Sequence, residues 1–171
     1  MIELSPGEWA ALGLIGLGPV HGYDVARELA PEGQLGAVWS VSRPLVYRAV
    51  QQLEASGLVQ PAAAQRSDRG PNRTMLKITP AGRRALDRWL REPVEHVRDI
   101  RSVLLLKLAL LDRAERDPRP LLEAQRDQVA SVVAGLARRR RAATGFDAVL
   151  LTWRLESARS VVRFVDSVVK S

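Results

Sequence analysis

The sequence predicts a mainly α-helical chain with a small β-hairpin, divided into a basic N-terminal domain over residues 1–92 and an all-helical domain over residues 93–171. Three observations carry that reading. Apolar residues recur at helical spacing through most of the 171 residues. The β-prone stretch is confined to two short runs either side of a turn holding Gly70-Pro71-Asn72. Pro93 then separates a mixed first half from a second half that reads as helix throughout.

Composition narrows the chemistry. A chain this long can bury a core without cross-links, and the absence of cysteine excludes disulfides, thiolate metal sites and cysteine nucleophiles, which fits a cytoplasmic protein. The first residues carry Glu3 and Glu8 where a secretory signal needs positive charge, and they lack a small-residue cleavage site. The apolar run Val103–Leu111 is broken by Lys107 and falls short of the roughly 18 residues of a membrane span, so no membrane association is expected. Net charge is +7, unevenly spread: residues 1–35 hold one arginine against five acids, residues 36–92 ten bases against four, and residues 93–171 fifteen against ten. A basic field of this kind speeds encounter with polyanions.

Taken in order, Ser5-Pro6-Gly7-Glu8 starts a helix over residues 5–18, with Ser5 as cap, Pro6 in the first turn and Glu8 completing a capping box. The following WAALGLIGL is apolar nearly all round, which predicts burial on more than one side. Gly18-Pro19 ends it. A second helix over Gly22–Leu29 enters through His21-Gly22-Tyr23. The only other histidine is His96, so neither metal binding nor catalysis is expected of His21; it reads as a helix-start residue bonding backbone or phosphate. Residues 31–39 form a connector.

The third helix is capped by Ser42, tolerates Pro44 in its first turn, and stops at Gly57. On a wheel of about 100° per residue, Leu45, Val46, Ala49, Val50 and Leu53 fall on a core side, and Pro44, Tyr47, Arg48 and Gln51 on an outer side. Two helices, a connector and a third helix with a polar outer face make a helix-turn-helix. Leu58–Gln60 and Arg73–Thr79 read as the hairpin. Its tip carries Arg66, Arg69 and Arg73 and so reads as a wing that lies on a sugar–phosphate backbone or reaches into the minor groove. Thr79-Pro80 starts a helix to about Glu92 with Leu86 and Leu90 on one stripe and Trp89 beside it.

Beyond Pro93, helices are predicted over residues 97–113, 118–141 and 145–170. The last carries Phe146, Val149, Leu150, Trp153, Ser157, Val161, Phe164, Val165 and Val168 as one apolar stripe, and the one before it Leu122, Val129, Val132, Val133 and Leu136. At about 1.5 Å per residue these helices reach about 35 Å, so their stripes are expected to meet each other and a second subunit. Arg138–Arg141 reads as a solvated helix end, and Trp153 as a core residue of its stripe.

Leu4-Ser5-Pro6, His21-Gly22-Tyr23, Tyr47…Leu53-Glu54…Gly57-Leu58 and Arg69-Gly70-Pro71-Asn72-Arg73…Ile78-Thr79-Pro80-Ala81-Gly82, in that order over residues 4 to about 92, resemble PadR-type transcriptional regulators. The second half is similar to the longer, multi-helix tail of that family in its helical pattern and in Leu104-Leu105-Leu106-Lys107-Leu108. The resemblance implies a winged helix-turn-helix homodimer that binds a two-fold operator as a repressor and releases it on binding a small aromatic or hydrophobic effector. Tyr47 corresponds to the family's recognition-helix tyrosine and Arg73 to its wing-base arginine. The chain departs from the pattern at Ser42-Arg43-Pro44-Leu45, where Ser-x-Gly-Ser/Thr is common, at Arg48, where proline is frequent, and at Met75-Leu76, which replaces an aromatic pair.

The resulting expectation is a DNA-binding regulator of double-stranded, palindromic sites. Tyr47, Arg48 and Gln51 face the major groove, Ser42 and Arg43 clamp the adjacent phosphate, and Arg69, Asn72, Arg73 and Lys77 serve the wing. Trp9, Trp89 and Trp153 are the stacking faces open to an effector, and no cofactor or metal is expected. The alternative is a winged-helix adaptor that holds a protein on the same surface. An enzyme is disfavoured, since no Ser-His-Asp grouping, phosphate loop or carboxylate pair stands out.

Overall fold

A computed structural model describes residues 3–62 and 74–170, which form two units, each with its own core. The first comprises Met1–Leu90 and Leu105–Arg116, the second Arg91–Leu104 and Asp117–Ser171. Helix Leu105–Arg113 thus packs with the first unit although it follows Pro93 in the chain.

In the first unit the order is α1 (Pro6–Leu17), β1 (Val20–His21), α2 (Gly22–Glu28), α3 (Arg43–Ala55), β2 (Val59–Pro61), β3 (Met75–Ile78), α4 (Pro80–Arg91) and α5 (Leu105–Arg113). The capping box at α1 forms as expected: Ser5 Oγ accepts from the Glu8 amide, and Glu8 accepts from the Ser5 amide at 2.7 Å. Residues Trp9 to Gly16 are all buried, which explains an apolar helix with no polar face. Glycines let its neighbours close in: a side chain at Gly13 would run into Leu110 of α5.

The sheet corrects the expected two-stranded hairpin. It has three antiparallel strands in the order β1-β3-β2, with Val20 opposite Leu76 and His21 opposite Met75 on one edge of β3, and Gln60 opposite Lys77 on the other. Two residues after a proline show no alternation, so β1 exists through its partner instead of its own pattern. Thr79 ties the parts together. Its hydroxyl lies 2.8 Å from the Gly57 carbonyl and accepts from the Gly82 amide at 3.0 Å, while its own amide donates to Leu58. Gly82 lies against the Leu58 carbonyl so closely that any Cβ there would overlap the oxygen.

The second unit holds a 3-10 turn (Val97–Asp99), a π-helical segment (Ile100–Leu104), α6 (Arg119–Ala142) and α7 (Gly145–Val169). The expected continuous helix over residues 97–113 is therefore three segments of different pitch, and the π segment ends where the chain passes between units. α6 and α7 run antiparallel, joined through Gly145 at φ 56, with Arg126–Asp166 at 2.8 Å near one end and Arg140 Nε donating to Thr152 Oγ1 at 2.6 Å near the other. Gln125, fully buried, accepts from the Val94 amide and donates to the Val94 carbonyl, pinning the segment after Pro93 to α6. Before α6, hydrogen bonds from the Arg119 side chain and amide hold the Asp117 carboxyl below the usual carboxylate range.

Candidate nucleic-acid interface

α3 carries the site because its two sides differ in kind. Val46, Ala49, Val50 and Leu53 are buried, and the turn after them is closed by Gly57 at φ 67, with the Leu58 amide bonding back to the Leu53 carbonyl at 2.9 Å. The opposite side leaves Arg43, Pro44, Leu45, Tyr47, Arg48, Gln51 and Gln52 exposed. This corrects one assignment: Leu45, expected in the core, is 54% exposed. It sits in the first turn, about 90° around the helix from the middle of the buried stripe, where more than half of its surface is left open.

Ser42 occupies the N-cap position with extended backbone, but its side chain makes no capping hydrogen bond, contrary to expectation. Its hydroxyl lies at the exposed helix entry, beside amides that lack intrahelical acceptors. On one flank, Tyr47 lies over Gly22, with its ring 3.3 Å from where a Cβ would stand. On the same flank the Arg43 guanidinium lies 5.2 Å from the centre of the exposed Tyr23 ring. The helix-start motif thus works as a bracket that orients Tyr47 and Arg43. Tyr23 was missing from the expected site, and its signal was the His21-Gly22-Tyr23 motif itself. His21 does not cap α2 with its side chain; its Nδ1 is buried with no hydrogen-bond partner among the described residues.

On the other flank Leu45, Arg48 and Gln52 border a groove of about 690 Å³ that also reaches Ser42, Trp39, Val41 and the first turn of α1. Lys77 is exposed on β3. Arg69, Asn72 and Arg73, with Arg66, lie outside the described residues.

Electrostatics separates these cations from the unit's structural ones. Arg83 donates to the Gly16 carbonyl at 2.6 Å, Arg113 pairs with Glu28 at 2.8 Å and Arg116 with Asp87 at 2.7 Å. Among the described residues, no carboxylate forms an ion pair with Arg43, Arg48 or Lys77. An unpaired cation on a solvated face keeps its full charge for an external anion.

The three tryptophans divide. Trp9 and Trp89 are buried and stacked on each other, centroids 4.8 Å apart and planes 8° from parallel, with the buried Lys107 ammonium 4.7 Å from the centre of Trp89. Trp153, expected in a core, is instead 72% exposed on α7. It lines a cavity of about 770 Å³ in the second unit with Val132, Leu136, Leu150 and the cations Arg101 and Arg154. Among the described residues no group of acidic and histidine side chains is placed to hold a metal ion, and no helix is long and apolar enough to cross a membrane.

Residues 11–88 match the profile of the transcriptional regulator PadR-like family. Among solved structures, Bacillus subtilis PadR in complex with operator DNA is 20% identical, with 94% of this chain and 96% of that chain covered and a TM-score of 0.48. The same protein in complex with p-coumaric acid is 19% identical over 96% of each chain, TM-score 0.47. A PadR-like transcriptional regulator from Bacillus cereus is 20% identical over 96% of each chain, TM-score 0.42. No curated protein matches the chain in sequence.

Proposed function

On the match of residues 11–88 to the PadR-like family of transcriptional regulators, we propose that the chain is a regulator of that family: a homodimeric, cytoplasmic repressor that binds a palindromic operator and leaves it on binding a small aromatic or hydrophobic effector. The observation that carries the DNA reading is the outer side of α3: Tyr47, Arg48 and Gln51 are exposed together, and the cations of that helix and of β3 lack carboxylate partners among the described residues. In this reading Tyr47, Arg48 and Gln51 enter the major groove, Ser42 and Arg43 hold the adjoining phosphate, and Lys77 with Arg69, Asn72 and Arg73 follows the backbone. A two-fold dimer would set half-sites about one helical turn, roughly 34 Å, apart.

Dimerisation is supported by a second apolar stripe on α7. Phe146 (77% exposed), Val149 and Trp153 lie on one side of the helix, away from Leu151, Leu155, Ala158, Val161 and Val165, which are buried. A run of large apolar side chains left in water marks an interaction surface. Of the three candidate tryptophans, Trp153 has the ring available to an effector, whereas Trp9 and Trp89 occupy each other. Fluorescence anisotropy on genomic fragments selected by the protein tests the proposal. Binding at low salt, falling steeply as salt rises, is expected; no binding to any fragment at low salt would favour the adaptor. Quenching of Trp153 fluorescence by a small aromatic compound, with loss of DNA binding, tests the effector arm.

A further inference from the structure

We propose that Leu45 reads a thymine, by packing its isobutyl group against the C5-methyl in the major groove. The inference rests on the DNA reading above and adds to it the identity of one base. Leu45 is the large apolar side chain in the first turn of α3, 54% exposed on the flank it shares with the exposed Arg48 and Gln52. It lies outside the buried side of the helix, which is formed by Val46, Ala49, Val50 and Leu53. The first turn of a recognition helix is the part that reaches base edges. In the major groove every base edge but one offers only hydrogen-bond donors and acceptors; thymine alone adds a methyl group. A leucine cannot satisfy donors or acceptors, and burying it against them would leave them unpaired, so the edge that fits it is thymine's. Arg48, one turn further along the same flank, and Gln51 supply polar contacts to neighbouring bases.

The experiment uses the full-length protein. Bound duplexes are first recovered from a random pool, and each thymine of the recovered half-site is then replaced in turn by deoxyuridine, which lacks only the methyl. At one position per half-site the wild-type protein should bind about three- to fivefold more weakly, as one buried methyl group requires. Leu45→Ala, whose side chain is exposed and whose replacement favours the helix, should bind thymine and deoxyuridine equally there, while keeping its sensitivity at other positions. Circular dichroism confirms its fold. Three outcomes overturn the inference while leaving the DNA reading intact: no conserved thymine in the half-site, no position sensitive to deoxyuridine, or full sensitivity retained by Leu45→Ala. Failure of the wild-type protein to bind any duplex overturns both.

Discussion

α1 and α7 are both apolar over much of their length, yet one is closed and the other is not. In α1 eight successive residues, Trp9 to Gly16, are buried, because other elements of its unit surround it. In α7 burial follows a single stripe, Leu151, Leu155, Ala158, Val161 and Val165, and a second stripe faces outward. The first unit therefore has the makings of a self-sufficient core, and the second has an unpaired surface built into its main helix. Under the dimer reading proposed above, that difference separates two tasks: holding α3 at a fixed angle to its bracket on α2, and bringing a second copy of α3 into play.

The largest effect should come from the open stripe. Changing Phe146 and Trp153 together to aspartate should raise the dimer dissociation constant by about a thousandfold or more, ~4 kcal/mol, as for central apolar anchors of an interface. Helix content should hold, because the stripe buried within the unit is untouched. Analytical ultracentrifugation reads the first and circular dichroism the second; an unchanged assembly state would mean that α7 is as self-contained as α1. Next, Leu12→Ala in the closed helix should cost about 3 kcal/mol of unfolding free energy, seen as a lower urea midpoint at every protein concentration. A concentration-dependent loss would assign α1 to the interface instead. Smaller again is Thr79→Ala, which removes the hydroxyl bridging α3's end and α4's start and should cost about 1 kcal/mol.

Features that depend on neighbours in sequence were readable from residues alone. The capping box at Ser5 and Glu8, the stop at Gly57 and the buried stripe of α3 all formed where local chemistry puts them. What escaped depends on partners distant in the chain. β1 is too short to show a period and is defined by its pairing with β3. Trp153 reads as core in the sequence because α7 carries two apolar stripes whose centres lie about 150° apart; in one dimension they merge into a single wide one. Leu45 reads as core in the sequence because its wheel position borders the core stripe, and only its place in the first turn leaves it 54% exposed. Tyr23 entered the site through Arg43, a contact across twenty residues of chain.

The smallest expected effect separates positioning from reading. Lys77 lies on β3 opposite Gln60, exposed and without a carboxylate partner among the described residues; in the proposed DNA reading its partner is a phosphate, which carries no sequence information. Lys77→Ala should weaken binding to all duplexes by a similar factor and lower the slope of log K against log salt by about one unit. Arg48→Ala should instead change which duplexes are preferred, because a guanidinium in the groove discriminates guanine from other bases by about 1–3 kcal/mol. Measuring both variants against the same set of duplexes at several salt concentrations therefore asks whether the wing strand and α3 do different jobs. An unchanged slope for Lys77→Ala would remove β3 from the contact surface and leave α3 to bind alone.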